Sequence, residues 1–199
     1  MVLVARPDFG PKTLRETLDY AKANPEKVVY GSTGVAGPIH LQLENLAHLA
    51  NAKMLQVPYS GDAQVVTALL SGQIDIAYLT LAGGLGFVTA GKVHALAAGG
   101  PKRSQSLPDL ATVEEQTGFK GYDAYTWNVL VAPKGTPPEI LEKLNRAIND
   151  IFARPDVKER MDKLGLLTIG GDVPTAAKFV ANEIEKYRNI IATTGVKRE

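Results

Sequence analysis

The chain has 199 residues, 45% of them hydrophobic, with no cysteine and a formal net charge of +1. That is enough apolar material for a packed core, and the near-balance of charge gives no field for nucleic acid; Lys102-Arg103 reads as a solvated turn. The lack of cysteine removes disulfides and thiolate metal sites. No apolar run is long enough for a membrane span, and the amino terminus lacks the basic, apolar and small-residue sections of a secretory signal.

Met1 to Ala5 reads as an apolar strand that begins without lead-in, so the sequence reads as starting mid-fold. Strand-like runs then alternate with helical patterns: a helix over Leu14–Ala23, a strand over Val28–Tyr30, a helix over Pro38–Ala50, a strand over Met54–Pro58, a helix over Asp62–Leu70 and a strand over Ile74–Tyr78. Serial winding of this kind implies an α/β fold with a mostly parallel sheet and flanking helices. Thr13 with Glu16, and Thr136 with Glu139, have the spacing of capping boxes, and Pro137 suits a first helical turn.

A turn-rich segment over 99–108 precedes a short helix near Val113. Tyr122 to Ala132 then reads as one long extended stretch ending at Pro133. Beyond it come helices over Pro137–Ala153 and Pro155–Leu164, a strand near Leu166–Ile169 and a final helix from Pro174 to about Thr193. Ile140, Leu144, Ile148 and Ile151 form an apolar stripe, as do Val180, Ile184, Tyr187 and Ile191, and such stripes need covering.

The most informative segment is the run from Val28 to Leu41. A buried strand passes through Gly31-Ser32-Thr33-Gly34-Val35-Ala36-Gly37 into a helix opened by Pro38. The glycines let the backbone turn and approach a ligand, Ser32 and Thr33 offer hydroxyls, and the free N–H groups of a helix start favour an anion. A dinucleotide fingerprint needs G-x-G-x-x-G and an acid near the end of the next strand, whereas this loop is G-x-x-G-x-x-G and Met54–Pro58 ends without an acid. A small carboxylate fits better than a nucleotide, and spacing alone supports a plain tight loop equally well.

Catalytic templates find no footing, since there is no cysteine and no G-x-S-x-G. Asp75 fits a turn hydrogen bond better than a poised acid. His40, His48 and His94 are not at metal spacing, so neither a metal nor a cofactor is expected. His40, on the first turn after the glycine loop, either donates to a ligand or locks the loop, and locking is favoured. Trp127 either walls a cleft or fills a core.

The chain resembles the extracytoplasmic solute receptors of tripartite tricarboxylate transporters, the Bug or TctC-like family, nearly end to end. The resemblance rests on Gly31-Ser32-Thr33-Gly34 with His40-Leu41, on Val57-Pro58-Tyr59 before Gly61, on Leu70-Ser71-Gly72-Gln73-Ile74-Asp75 and on Ala90-Gly91-Lys92-Val93-His94-Ala95-Leu96-Ala97. It continues through Lys102-Arg103-Ser104, Leu107-Pro108-Asp109 and Ala132-Pro133-Lys134-Gly135-Thr136-Pro137. It implies a periplasmic binding protein-like fold with two lobes around a cleft, a binder of small organic acids with no reaction to catalyse. Residues 1–125 would be the second lobe, and 126–199 a crossover strand and carboxy-terminal helices returning toward a first lobe absent from this sequence.

The resemblance also implies a site. The loop from Gly31 to Gly37 contributes Ser32, Thr33, Gly34, Val35, Ala36 and Gly37, with His40 behind it. The turn contributes Tyr59, Ser60 and Asp62, and the loop from Leu79 to Gly84 contributes Thr80; Trp127 joins the set from its own residue type, as a cleft wall, and not from the resemblance. The family's usual second glycine and hydroxyl residue are Ala36 and Gly37 here, which removes one hydroxyl. Asp62 either caps the next helix or faces the cleft, where it would disfavour multiply charged acids and leave room for an amino acid, an amide or a neutral aromatic compound. The implied partners are a carboxylate-bearing ligand and the membrane components of the transporter, with periplasmic localisation. Separately, the uncovered stripe gives an expectation of self-association through Ile140, Leu144 and Ile148, or of exchange of elements with a second copy. A cytoplasmic effector-sensing domain of a transcription regulator is the alternative, and an enzyme comes third.

Overall fold

The structure is a computed structural model describing residues 1–197. It divides into two units, Met1–Thr126 together with the segment from Asn189, and Trp127–Arg188.

The first unit is built on a five-stranded sheet. Its strands are β1 (Val2–Ala5), β2 (Val29–Ser32), β3 (Leu55–Pro58), β4 (Ile76–Leu79) and β5 (His94–Ala98), in the spatial order β3-β2-β4-β1-β5. β2 pairs in parallel with both β3 and β4, whereas β1 is antiparallel to both β4 and β5. Four strands therefore run one way and β1 runs against them, so the sheet is mixed, which corrects the reading of β1 as the first unit of a serial parallel winding. An apolar run carries no direction. Its orientation comes from long-range pairing, here the register Val2 with Leu79 and Val2 with Ala98.

Helices α1 (Leu14–Ala23), α2 (Pro38–Leu49), α3 (Asp62–Leu70), α4 (Leu81–Thr89) and α5 (Val113–Thr117) cover the sheet. Alternation along β1 and β4 splits the core into two layers. Leu3, Ala5, Ile76 and Tyr78 pack with Leu14, Leu18, Leu43 and Leu46 on one face. Val2, Val4, Ala77 and Leu79 pack with Val65, Ala68 and Leu69 on the other. Inside the first layer the Tyr78 and Tyr122 hydroxyls lie 3.1 Å apart, and Tyr122 donates to the Gln42 carbonyl at 3.0 Å. Burial raises the Tyr78 pKa, keeping the phenol neutral.

Local signals account for several helix starts. Thr13 and Glu16 form the expected capping box on α1, and Thr112 with Glu115 forms another on α5. The box expected at Thr136 and Glu139 does not form: α6 (Pro138–Ala153) starts one residue later with Pro137 as its cap, and the Thr136 hydroxyl donates to the Pro133 carbonyl at 2.8 Å. The cause is Pro138, which forces the residue before it out of helical geometry; Pro137 accordingly has ψ 140°. Likewise α3 is capped by Gly61, and Asp62 is its first residue with no capping hydrogen bond from its side chain. Neither α4 nor β5 follows from the pattern reading; for α4 the reason is Gly83, Gly84 and Gly86, since glycine is a poor helix former. Thr80 rescues α4 by accepting the Gly83 N–H at 3.1 Å.

Asp75 ties three elements together. Its carboxylate accepts from the Val29 N–H at 2.8 Å and from Arg6 Nε at 2.9 Å, while its backbone pairs with Arg6 and Val29. The turn hydrogen bond expected for it is therefore replaced by a long-range tie, its partners lying 46 and 69 residues away in the chain.

The second unit holds α6, α7 (Pro155–Lys163) and the part of α8 (Val173–Thr194) up to Arg188. The expected strands over 122–132 and 166–169 are not formed among the described residues, since a strand needs a paired neighbour as well as an apolar run. Instead Asn145 and Asn149 both donate to the Gly171 carbonyl at 2.9 Å, and the Gly171 N–H donates to Asn149 Oδ1 at 3.0 Å. No residue of α6 is buried, and Val131 and Leu167 are 84% and 85% exposed.

Candidate functional site

Because β2, β3 and β4 run in the same direction, their carboxyl ends, Ser32, Pro58 and Leu79, lie on one edge of the sheet. Each strand feeds a helix there, so the starts of α2, α3 and α4 follow from the same edge. Ligands of open α/β sheets bind at such an edge, where loops converge and helix dipoles favour negative charge.

The three helix starts differ. α4 has a capping hydroxyl in Thr80, and α3 has an acid, Asp62, in its first turn. α2 has neither: Gly37 is its cap, no side chain caps it, and its first turn holds no acid. Of the three, the start of α2 leaves the most unanswered positive potential.

The loop in front of α2 is held in place from within. Ser32, 1% exposed, donates from its hydroxyl to the Gly34 carbonyl at 3.1 Å. Gln56 Nε2 on β3 donates to Ser32 Oγ at 2.7 Å and to the same carbonyl at 3.3 Å. His40 Nδ1 accepts the Ala36 N–H at 2.9 Å, which is the locking role favoured from sequence. Its Nε2 lies 3.9 Å from Glu44 Oε1, and Glu44 accepts a hydrogen bond from the Tyr30 hydroxyl. Burial lowers the His40 pKa and Glu44 partly offsets it, whereas burial raises that of Tyr30. The backbone pays locally, since Gly34 has φ 96° and Ala36, with a side chain, has φ 54°.

Gly31 lies where the chain must pass close to α3. A Cβ built there would stand 2.5 Å from Ile74 Cδ1 and 3.2 Å from Val65 Cγ1. Tyr59 follows β3, and its N–H donates to the Ser32 carbonyl at 2.8 Å, joining the turn to the loop. The Ser60 N–H donates to Gln64 Oε1 at 3.0 Å. Val35 is 45% exposed at the loop tip. Ser32 to Gly37, His40, Tyr59, Ser60, Asp62 and Thr80 therefore all belong to one edge of the first unit. Trp127 belongs to the second unit, where its indole N–H donates to Glu183 Oε2 at 2.9 Å and its ring meets Phe179 edge-on.

Sequence reading missed Gln56 and Glu44, which complete the lock. Gln56 carried one signal, as the polar member of the apolar run Met54–Pro58; Glu44 carried none, because an acid in a helix reads as solvated surface.

A mixed sheet with an anion-ready helix start at the carboxyl ends of its strands defines a class of α/β small-molecule-binding proteins. Residues 1–196 match the tripartite tricarboxylate transporter family receptor, TctC, and the chain belongs to that family. It is 34% identical over 190 residues to a protein from the tcbD–tcbE intergenic region of Pseudomonas sp. (strain P51), covering 96% of this chain and 56% of the relative. It is 28% identical to BugT of Bordetella pertussis, covering 99% of this chain and 60% of BugT. Among solved structures, the periplasmic binding protein BugD superposes with a TM-score of 0.83 at 30% identity, over all of this chain (100%) and 67% of BugD. MatC of Rhodopseudomonas palustris with bound malate gives 0.80 at 28%, over 96% of this chain and 65% of MatC. An R. palustris protein with adipate gives 0.86 at 25%, over 98% and 65%. The chain thus spans little more than half the length of the first two relatives.

Proposed function

We propose that this chain forms the larger part of a solute receptor that captures a small carboxylate-bearing compound for a tripartite tricarboxylate-type transporter. The observation that carries the reading is the start of α2, with no capping side chain and no acid, behind a loop held from three sides. Membership of the receptor family and the adipate and malate seen in two structural relatives support a carboxylate as the ligand. The ligand carboxylate sits against Thr33 to Gly37, with Ser32 and His40 shaping the loop from behind, and with Tyr59, Ser60, Asp62 and Thr80 along the same edge. The receptor works in the periplasm beside the transporter's membrane components and catalyses no reaction.

A charge-assisted hydrogen bond is worth roughly 1.5 to 3 kcal/mol, and micromolar affinity needs about 8 kcal/mol. One loop supplies two or three such bonds, so this chain alone binds at about millimolar strength. Titrating isotope-labelled chain with adipate and with malate, while following backbone amide resonances, tests the reading. Saturable shifts centred on residues 33–40 are expected. If those amides stay still for every small carboxylate while the rest of the spectrum is native, the reading fails.

A further inference from the structure

His40 makes one hydrogen bond that only a neutral imidazole can make. Its Nδ1 accepts the Ala36 N–H at 2.9 Å, so the ring proton must lie on Nε2, which points toward Glu44 at 3.9 Å. An imidazolium carries a proton on both nitrogens and has no acceptor to offer. Protonation therefore turns the Ala36 contact from a hydrogen bond into a clash of two donors. The residue held by that bond is the one non-glycine of the loop with positive φ, 54°. Such a conformation costs roughly 1 to 2 kcal/mol for an L residue and persists only when its surroundings enforce it.

We propose that His40 is a proton-operated latch: neutral, it holds Ala36 and the start of α2 in the liganding shape, and protonated, it lets the loop relax and release its ligand. The consequence for ligand rests on the receptor reading; the latch itself does not. The groups facing the imidazole are few. Glu44 on α2 favours the cation, the Tyr30 ring on β2 lies 6.2 Å away and adds no charge, and Gln56 on β3 is neutral. Val35, His40, Glu44 and Gln56 line a surface cavity of about 420 Å³ with residues 194–197, which bring the cation Lys197 to its wall. The ring is 7% exposed, and its desolvation opposes protonation, placing the switch on the acid side of an ordinary histidine.

If only the latched form binds, apparent affinity falls by up to about tenfold for each pH unit below the His40 pKa. The test is amide and imidazole NMR of the whole chain across about pH 4.5 to 8.5, about two units either side of an ordinary histidine, first without ligand and then with adipate. The expected result is an Nε2–H tautomer at neutral pH and an Ala36 amide resonance that moves with the same midpoint as the His40 ring. His40→Asn keeps an acceptor at the Nδ1 position without a titrating proton, so the Ala36 midpoint disappears while its amide stays bonded; His40→Ala leaves that amide unbonded at every pH. An Nδ1–H tautomer, or an Ala36 amide indifferent to His40 titration, overturns the latch. Because the first arm uses no ligand, failure of adipate to bind would count against the receptor reading alone. Adipate binding whose affinity ignores the His40 midpoint would overturn the regulatory role.

Discussion

Within the glycine loop, two neighbouring positions have opposite tolerances. Gly34 has φ 96° with nothing near its missing Cβ, so Gly34→Ala meets backbone strain and no clash, and is expected to cost about 1 to 2 kcal/mol. Ala36→Gly removes such strain but loosens the unfolded chain, which offsets it by about 0.4 to 1 kcal/mol. The expected outcome is no loss of stability; equal losses in both variants by urea unfolding would contradict the geometry. Asp75→Ala leaves the Val29 N–H and Arg6 without their shared acceptor, for an expected loss of about 3 kcal/mol. His40 sets a pH dependence. Its folded pKa is lowered from 6.5, so the native state binds fewer protons than the unfolded chain as pH falls through that value. The stability it contributes is present above pH 6.5 and is lost as pH falls toward the folded pKa; His40→Asn should flatten that acid limb in thermal unfolding.

Among the elements, the caps give a graded comparison. Thr13→Ala and Thr112→Ala each break a complete box and should cost about 1 kcal/mol. Thr136→Ala breaks only a turn hydrogen bond and should cost under about 0.5 kcal/mol. Equal costs for all three in chemical denaturation would mean that Pro137 is not the cap. The pattern T-P-P-E shows why one box was legible and the other misleading: both have the same spacing, but a second proline moves the helix start. The strand expected over 122–132 failed for a related reason. Its apolar residues were visible, whereas the partner that makes a strand was never a property of that segment. α4 was invisible for the converse reason, since three glycines hid a helix that Thr80 and the packing of Gly84 against Val2 and Leu79 secure.

At the scale of the whole molecule, the uneven burial of apolar residues matters most. The first unit closes a two-layer core, while Leu130, Val131, Leu167 and Ile169 of the second stay open, each at least 73% exposed. Such surface drives association. Sedimentation velocity should show mass rising with concentration, and Leu167→Lys with Ile169→Lys should lower it; a concentration-independent monomer would exclude self-association of this chain.

The sequence by itself determined the α/β class, the order of most elements, the glycine loop and the family, because each is written in local periodicity, turn chemistry or motif order. It also favoured His40 as a lock, since four residues bring a first-turn side chain back over its own loop. The tertiary structure alone decided that β1 runs against the other strands, that three helix starts share one edge and that α2 alone of them has neither a capping side chain nor an acid in its first turn. It likewise recruited Gln56 and Glu44 to the loop. These depend on pairing and contact between residues far apart in the chain, and no local pattern records which strand lies beside which.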